Sequence, residues 1–300
     1  MVAGRADGAL VALAIKLKER MDALLPPNQP SHLDRMGGED GVTVANQFEA
    51  NVAPDGETAL IVSGSAALAW LAGDPRAQFD IGHWLPVATA QVSGVVIASA
   101  ASSPQLAALR LAVEPGPAHA LPVELGVHLL GQNVTSIITS LDPLRALHAG
   151  DADMALLLGR DSARQTIEAV SLQMTPLFSL GSLDATNQVV RDPAVARVPT
   201  LPELLAARQI TVDPALVSAW RCLAAAARLD AALLLPWLTP ANLVAWWRVM
   251  LQDVQIAKLS GDSDSVVWHT NPTDNFGVTA MIADTQTSLA LHRWLATRAR

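Results

Sequence analysis

From residue 9 onward the chain alternates stretches of helical spacing with short apolar runs, and Pro or Gly marks most changes from one to the other. That alternation restricts the fold more than any other feature. Apolar strands too short to stand alone, separated by helix-length segments, stack as α/β layers. In residues 9–25 the apolar Leu10, Leu13, Ala14, Leu17, Met21 and Leu24 recur with Lys16, Lys18, Glu19 and Arg20 between them, an amphipathic helix stopped by Pro26 and Pro27. The loop Gly37-Gly38-Glu39-Asp40-Gly41 opens a second helix over 44–51, and Pro54-Asp55-Gly56 turns the chain into a strand over 58–62.

Further strands are expected at 92–98, 109–113, 134–139 and 154–158, with another run at 175–180. Helices are expected at 120–130, 142–149, 162–170, 240–251 and 285–299. The polar stretch 184–197 reads as a linker, and 220–229 and 233–235 fit strand or helix equally well. No internal repeat is visible.

Three hundred residues exceed the usual size of one domain, so two lobes are expected. Hydrophobic residues make up 51% of the chain and charged residues only 16%, which argues for an ordered, apolar-rich protein. The net charge of −8 and the scattered Lys and Arg give no basic stripe for nucleic acid. No apolar run reaches the length of a membrane span, because Arg221, Arg228, Asp230 and Pro236 break the richest stretch. Residues 1–8 do not read as a secretory leader.

Cys222 is the single cysteine, so neither an internal disulfide nor a Cys-based metal site is expected, and its apolar surroundings fit a small buried residue. The seven histidines form no short ligand pair, so no metal or other cofactor is expected. Asp262 and Asp264 read as solvated loop charge, and no residue set points to an enzyme.

Candidate binding residues lie where strands run into helices, since helix N-termini point backbone N–H groups at an anion. Gly4-Arg5-Ala6-Asp7-Gly8 is one such loop, and it fits a plain helix start as well. Ser63-Gly64-Ser65 follows the 58–62 strand; its hydroxyls and amides suit a carboxylate, and a simple N-cap fits equally. It is not a nucleophile elbow, because Gly-x-Ser-x-Gly is absent.

Several segments, in order, resemble the signature blocks of Bug-type extracytoplasmic solute receptors of the tripartite tricarboxylate transporter family. The loop at Gly4–Asp7 with its following helix is similar to the family's first ligand loop. Gly37-Gly38-Glu39-Asp40-Gly41-Val42 through Ala53-Pro54-Asp55-Gly56-Glu57-Thr58-Ala59-Leu60 resembles its Gly-Gly, helix, Ala-Pro-Asp-Gly-Tyr-Thr-Leu run. Phe79-Asp80 through Leu85-Pro86-Val87-Ala88 and Asp151-Ala152-Asp153-Met154 resemble two more blocks. Arg197-Val198-Pro199-Thr200-Leu201-Pro202-Glu203-Leu204 is the most specific, being similar to Asp-Val-Pro-Thr-Leu-x-Glu.

The resemblance implies an α/β, two-lobed periplasmic-binding-protein-like fold, each lobe a sheet flanked by helices. Residues 1–93 and 214–300 would form lobe one, and 94–213 lobe two. It implies a receptor that holds a small carboxylate between the lobes for membrane transporter subunits, in the periplasm, or in the cytoplasm if Met1 is the true start. Gly4, Arg5, Ala6, Asp7, Ser63, Gly64 and Ser65 would contact the ligand from lobe one; Gly116, Ala118, His119 and Asp142 from lobe two. The chain departs from the family where it lacks a strand ahead of the first loop, where the segment between Ser103 and Leu109 is short, and where Ser140-Leu141-Asp142 replaces Tyr-Lys-Gly. Pro115 and Pro117 also remove N–H donors from the second-lobe loop. Those departures favour an alternative, a degenerate binding-protein fold serving as an accessory or scaffold subunit of a larger assembly.

Overall fold

The computed structural model describes residues 2–3, 9–38, 40–99, 109–115, 119–253, 266–270 and 276–298. These fall into two compact units, Met1–Gln91 with Leu229–Ile282 and Val92–Arg228 with Ala283–Arg300. The chain passes from the first unit to the second after Gln91 and returns at Leu229, and the C-terminal helix lies in the second unit.

The first unit is built on β1 (Val2–Ala3), β2 (Arg35–Met36), β3 (Leu60–Val62), the first half of β4 (Leu85–Ala98) and β11 (Leu229–Leu235). The order is β2-β1-β3-β11-β4, with β1 parallel to both neighbours and β11 antiparallel to both of its own. The strand expected to be missing ahead of the first loop is therefore present as two residues, with Val2 opposite Ile61. Helices α1 (Ala9–Leu24) and α9 (Ala241–Asp253) bury Val11, Leu17, Met21, Trp247 and Leu251 against Ile61, Val87 and Leu233. Helices α2 (Val42–Asn51) and α3 (Gly64–Leu71) also pack on this sheet. All three β3 residues are buried, which explains a continuous apolar run rather than an alternating one.

In the second unit the rest of β4 pairs antiparallel with β7 (Met154–Gly159) and β8 (Thr175–Ser179). β7 continues in parallel to β5 (Leu109–Val113) and β6 (Val134–Thr139). Helices α5 (Pro143–His148) and α6 (Ser162–Ser171) carry Leu144, Leu147 and Ala169 into one core with Val95, Ile97 and Leu157. A second helical layer joins α4 (Leu121–Leu129), α8 (Pro214–Arg228) and the C-terminal helix, called α11 (Thr285–Arg298). There Trp220 meets Phe178 edge to face at 6.3 Å, and its Nε1–H donates to the Pro122 carbonyl at 2.9 Å. Gly126 is required at this contact, because a Cβ would lie 2.9 Å from Phe178. Between α9 and α11 come β12 (Val266–His269), which pairs with β4, and α10 (Phe276–Met281).

The stretch 184–197 is not a linker. It folds as a hairpin of β9 (Ser182–Leu183) and β10 (Val189–Val190), then a 3-10 turn, Pro193–Val195. Asp184 accepts from the backbone N–H of Thr186 and Gln188, so its polar residues satisfy local backbone rather than water. Asp192, 5% exposed, ion-pairs with Arg228 at 3.3 Å and accepts from the Ser93 hydroxyl at 2.8 Å, while Arg228 Nε–H donates to the Val92 carbonyl at 2.9 Å. The block beginning at Arg197 ends in α7 (Leu201–Ala207), started by a capping box between Thr200 and Glu203.

Candidate functional site

The parallel register of β1 and β3 decides where the first-unit loops emerge. With Val2 opposite Ile61, the chain leaves β1 level with the end of β3, at the same sheet end where Ser63 begins. β2 is parallel to β1, so Gly37 and Gly38 emerge at that end too. Gly4, Arg5, Ala6 and Asp7 themselves lie outside the described residues.

The two helix starts near this end differ in charge. At α2, Asp40 is buried, accepts from the Val42 N–H at 3.2 Å and ion-pairs with Arg76 at 2.8 Å. That N-terminus already has its anion. At α3, Ser63 has extended backbone (φ −89°, ψ 170°) and makes no side-chain cap, no acidic residue stands in the first turn, and Gly64 is buried. The positive end of a helix dipole favours an anion, and here Ser63 supplies no side-chain cap to stand in its place. Ser63 and Ser65 are both half-buried.

In the second unit β5, β6 and β7 are parallel, so the segments after Val113, Thr139 and Gly159 share one sheet end. His119 is half-buried beside the start of α4; desolvation pulls its imidazole below the usual value, and a hydrogen bond to the Glu114 backbone only opposes this. A histidine held neutral supplies a hydrogen bond but no cation. Asp142 accepts from the Arg145 N–H at 2.9 Å as the N-cap of α5, while its own N–H donates to Ser140 Oγ at 3.1 Å. Its exposed carboxylate serves that helix, and its charge repels another carboxylate. Gly116 and Ala118 lie outside the described residues.

Other chemistry fits less well. Cys222 is buried, and desolvation pushes its thiol up to about 11, the opposite of an activated nucleophile. Among the described residues no group of three His, Cys, Asp or Glu converges to hold a metal, and no helix is long and apolar enough to cross a membrane.

With the strands, helices and loop ends in position, the class is defined by fold: a periplasmic-binding-protein-like α/β protein. Its structural neighbours are of the TctC and Bug type, as the sequence blocks imply. A TctC solute-binding protein from Polaromonas, solved without ligand, matches over 99% of this chain and 96% of its own at a TM-score of 0.67 and 13% identity. The periplasmic binding protein BugD matches over 100% and 96%, with a TM-score of 0.56 and 18% identity. MatC from Rhodopseudomonas palustris, with bound malate, matches over 100% and 98% at a TM-score of 0.52 and 18% identity. By sequence, no protein-family model matches and no curated protein is similar.

Proposed function

We propose that this chain is an extracytoplasmic solute-binding protein that takes a small carboxylate and presents it to a membrane transporter. The observation that carries this reading is the full-length likeness in fold to TctC, BugD and MatC, the last holding malate. The uncapped start of α3 supports it, and Ser63, Gly64 and Ser65 are the proposed contacts from the first unit. Gly4, Arg5, Ala6 and Asp7 are further candidates in the first unit, and Gly116, Ala118 and His119 are candidates in the second, where Asp142 is already engaged as the N-cap of α5. Recognition in the first unit then rests on backbone amides and hydroxyls, with Arg5 adding charge.

Isothermal calorimetry and thermal shift against malate, succinate, citrate and longer dicarboxylates test the proposal. One or more should bind. Ser63→Ala or Ser65→Ala should weaken that binding by about 1–3 kcal/mol, the cost of a lost partner to a charged group, roughly 5- to 150-fold in Kd. Unchanged affinity in both variants would remove this junction from the site. A protein silent toward the whole panel would overturn the receptor reading and leave the accessory-subunit alternative.

A further inference from the structure

The chain passes between the two units three times. One passage runs through the short non-helical link at residues 282–284. The other two have no loop at all: Gln91 and Val92 are consecutive residues of β4, and α8 ends at Arg228 with β11 beginning at Leu229. Hinges absorb rotation in a few loop or element-terminal residues, so connections without slack leave only the dihedrals at the junctions themselves. Within the second unit one buried cluster holds both junctions. Arg228 Nε–H donates to the Val92 carbonyl at 2.9 Å, and its Nη2 faces Asp192 at 3.3 Å. Asp192 in turn accepts from the Ser93 hydroxyl at 2.8 Å and from the Ala194 N–H at 3.0 Å, and Ser93, Asp192 and Arg228 are all buried. Gly94 follows with no room for a side chain, since a Cβ would lie 2.7 Å from Leu180 Cδ1. Within the first unit the same strands are less regular: Leu229 pairs with Gln91, but the register then slips before Ala231, which makes Asp230 the extra residue of a bulge.

We propose that Arg228, Asp192 and Ser93 form a clamp that joins the two loopless connections into one, so that any rotation between the units is taken up on the first-unit side, at Gln91 and the Asp230 bulge. Arginine suits this task because its planar fork serves two partners at once, the backbone of one connection through Nε and the carboxylate through Nη2. The bond to the Val92 carbonyl separates a clamp from an ion pair that only stabilises the fold, because it ties the end of α8 to the backbone of the neighbouring connection. Asp192 and Ser93 complete it by holding the guanidinium from a third segment, the turn after β10. The clamp involves no ligand, so its test stands whether or not a carboxylate binds.

Double electron–electron resonance between spin labels on Ala50→Cys in α2 and Ile167→Cys in α6, both exposed positions, reads the spread of distances between the units without any ligand. Cys222 is buried and takes no label. The protein with its clamp intact should give a narrow distribution. Arg228→Lys keeps a cation beside Asp192 but cannot hold the Val92 carbonyl as well, and should broaden the distribution roughly twofold while still melting cooperatively. Asp192→Ala/Arg228→Met removes the whole pair without leaving a buried charge, and should broaden it at least as much. Equal widths with and without the clamp overturn the proposal, as does broadening seen only in a variant that no longer melts cooperatively.

Discussion

The Arg228–Asp192 pair allows a stability prediction with a definite size. Both side chains are under 10% exposed (7% and 8%), and burial pulls the Arg228 guanidinium below its usual value while Asp192 opposes that shift. In Asp192→Ala the guanidinium keeps only the Val92 carbonyl as a named partner, and Ser93 Oγ and the Ala194 N–H lose their acceptor. An uncompensated buried charge costs about 3–5 kcal/mol, whereas apolar replacement of a whole buried pair is often neutral. For a unit of this size that corresponds to a fall in Tm of about 6–20 °C. Asp192→Ala/Arg228→Met should recover most of the loss. Differential scanning calorimetry gives the shift, and hydrogen exchange of α8 peptides assigns it to the second unit. A single variant melting within about 2 °C of wild type, or a double variant no better than the single, would refute the argument that the charge of Arg228 needs Asp192.

Three further outcomes are expected. The bonds from Lys18 and Ser31 hold the Asp22 carboxyl at about 2, below its unfolded value, so the stability it contributes is present above the unfolded pKa of about 3.9 and is lost as pH falls toward 2. Asp22→Asn should flatten the acid limb of the stability profile between those values, measured by urea unfolding at each pH. Gly181→Ala should cost about 2–5 kcal/mol, because φ is +73° and a Cβ would sit 2.5 Å from Val189 Cγ1; denaturant titration reads the loss. Glu203→Ala removes the Thr200 capping box and the 2.9 Å Arg191 ion pair, and should cost about 1 kcal/mol by the same titration.

The alternation of helix and strand was legible because each element writes its own period into the chain. The 9–25 stripe became α1, and the runs at 109–113 and 134–139 became β5 and β6 without change. Ser63-Gly64-Ser65 was legible as a junction because a buried strand ends at Val62 and small polar residues follow. Periodicity failed at 220–229, where alanine and leucine suit either period; packing against α4 and α11 made it helix up to Arg228, and β11 begins at the next residue. It failed again at 184–197, since a polar composition does not reveal that Asp192 neutralises an arginine 36 residues away. The C-terminal helix reads as a helix in sequence, yet its assignment to the second unit depends on Trp294 being buried and Arg298 reaching Glu124, 174 residues distant. Local residues set which elements form, through backbone sterics and the spacing of apolar side chains. Which surfaces meet, and so which charges and helix starts are satisfied, was decided only by tertiary structure, because those partners are separated by tens to hundreds of residues and no local period records them.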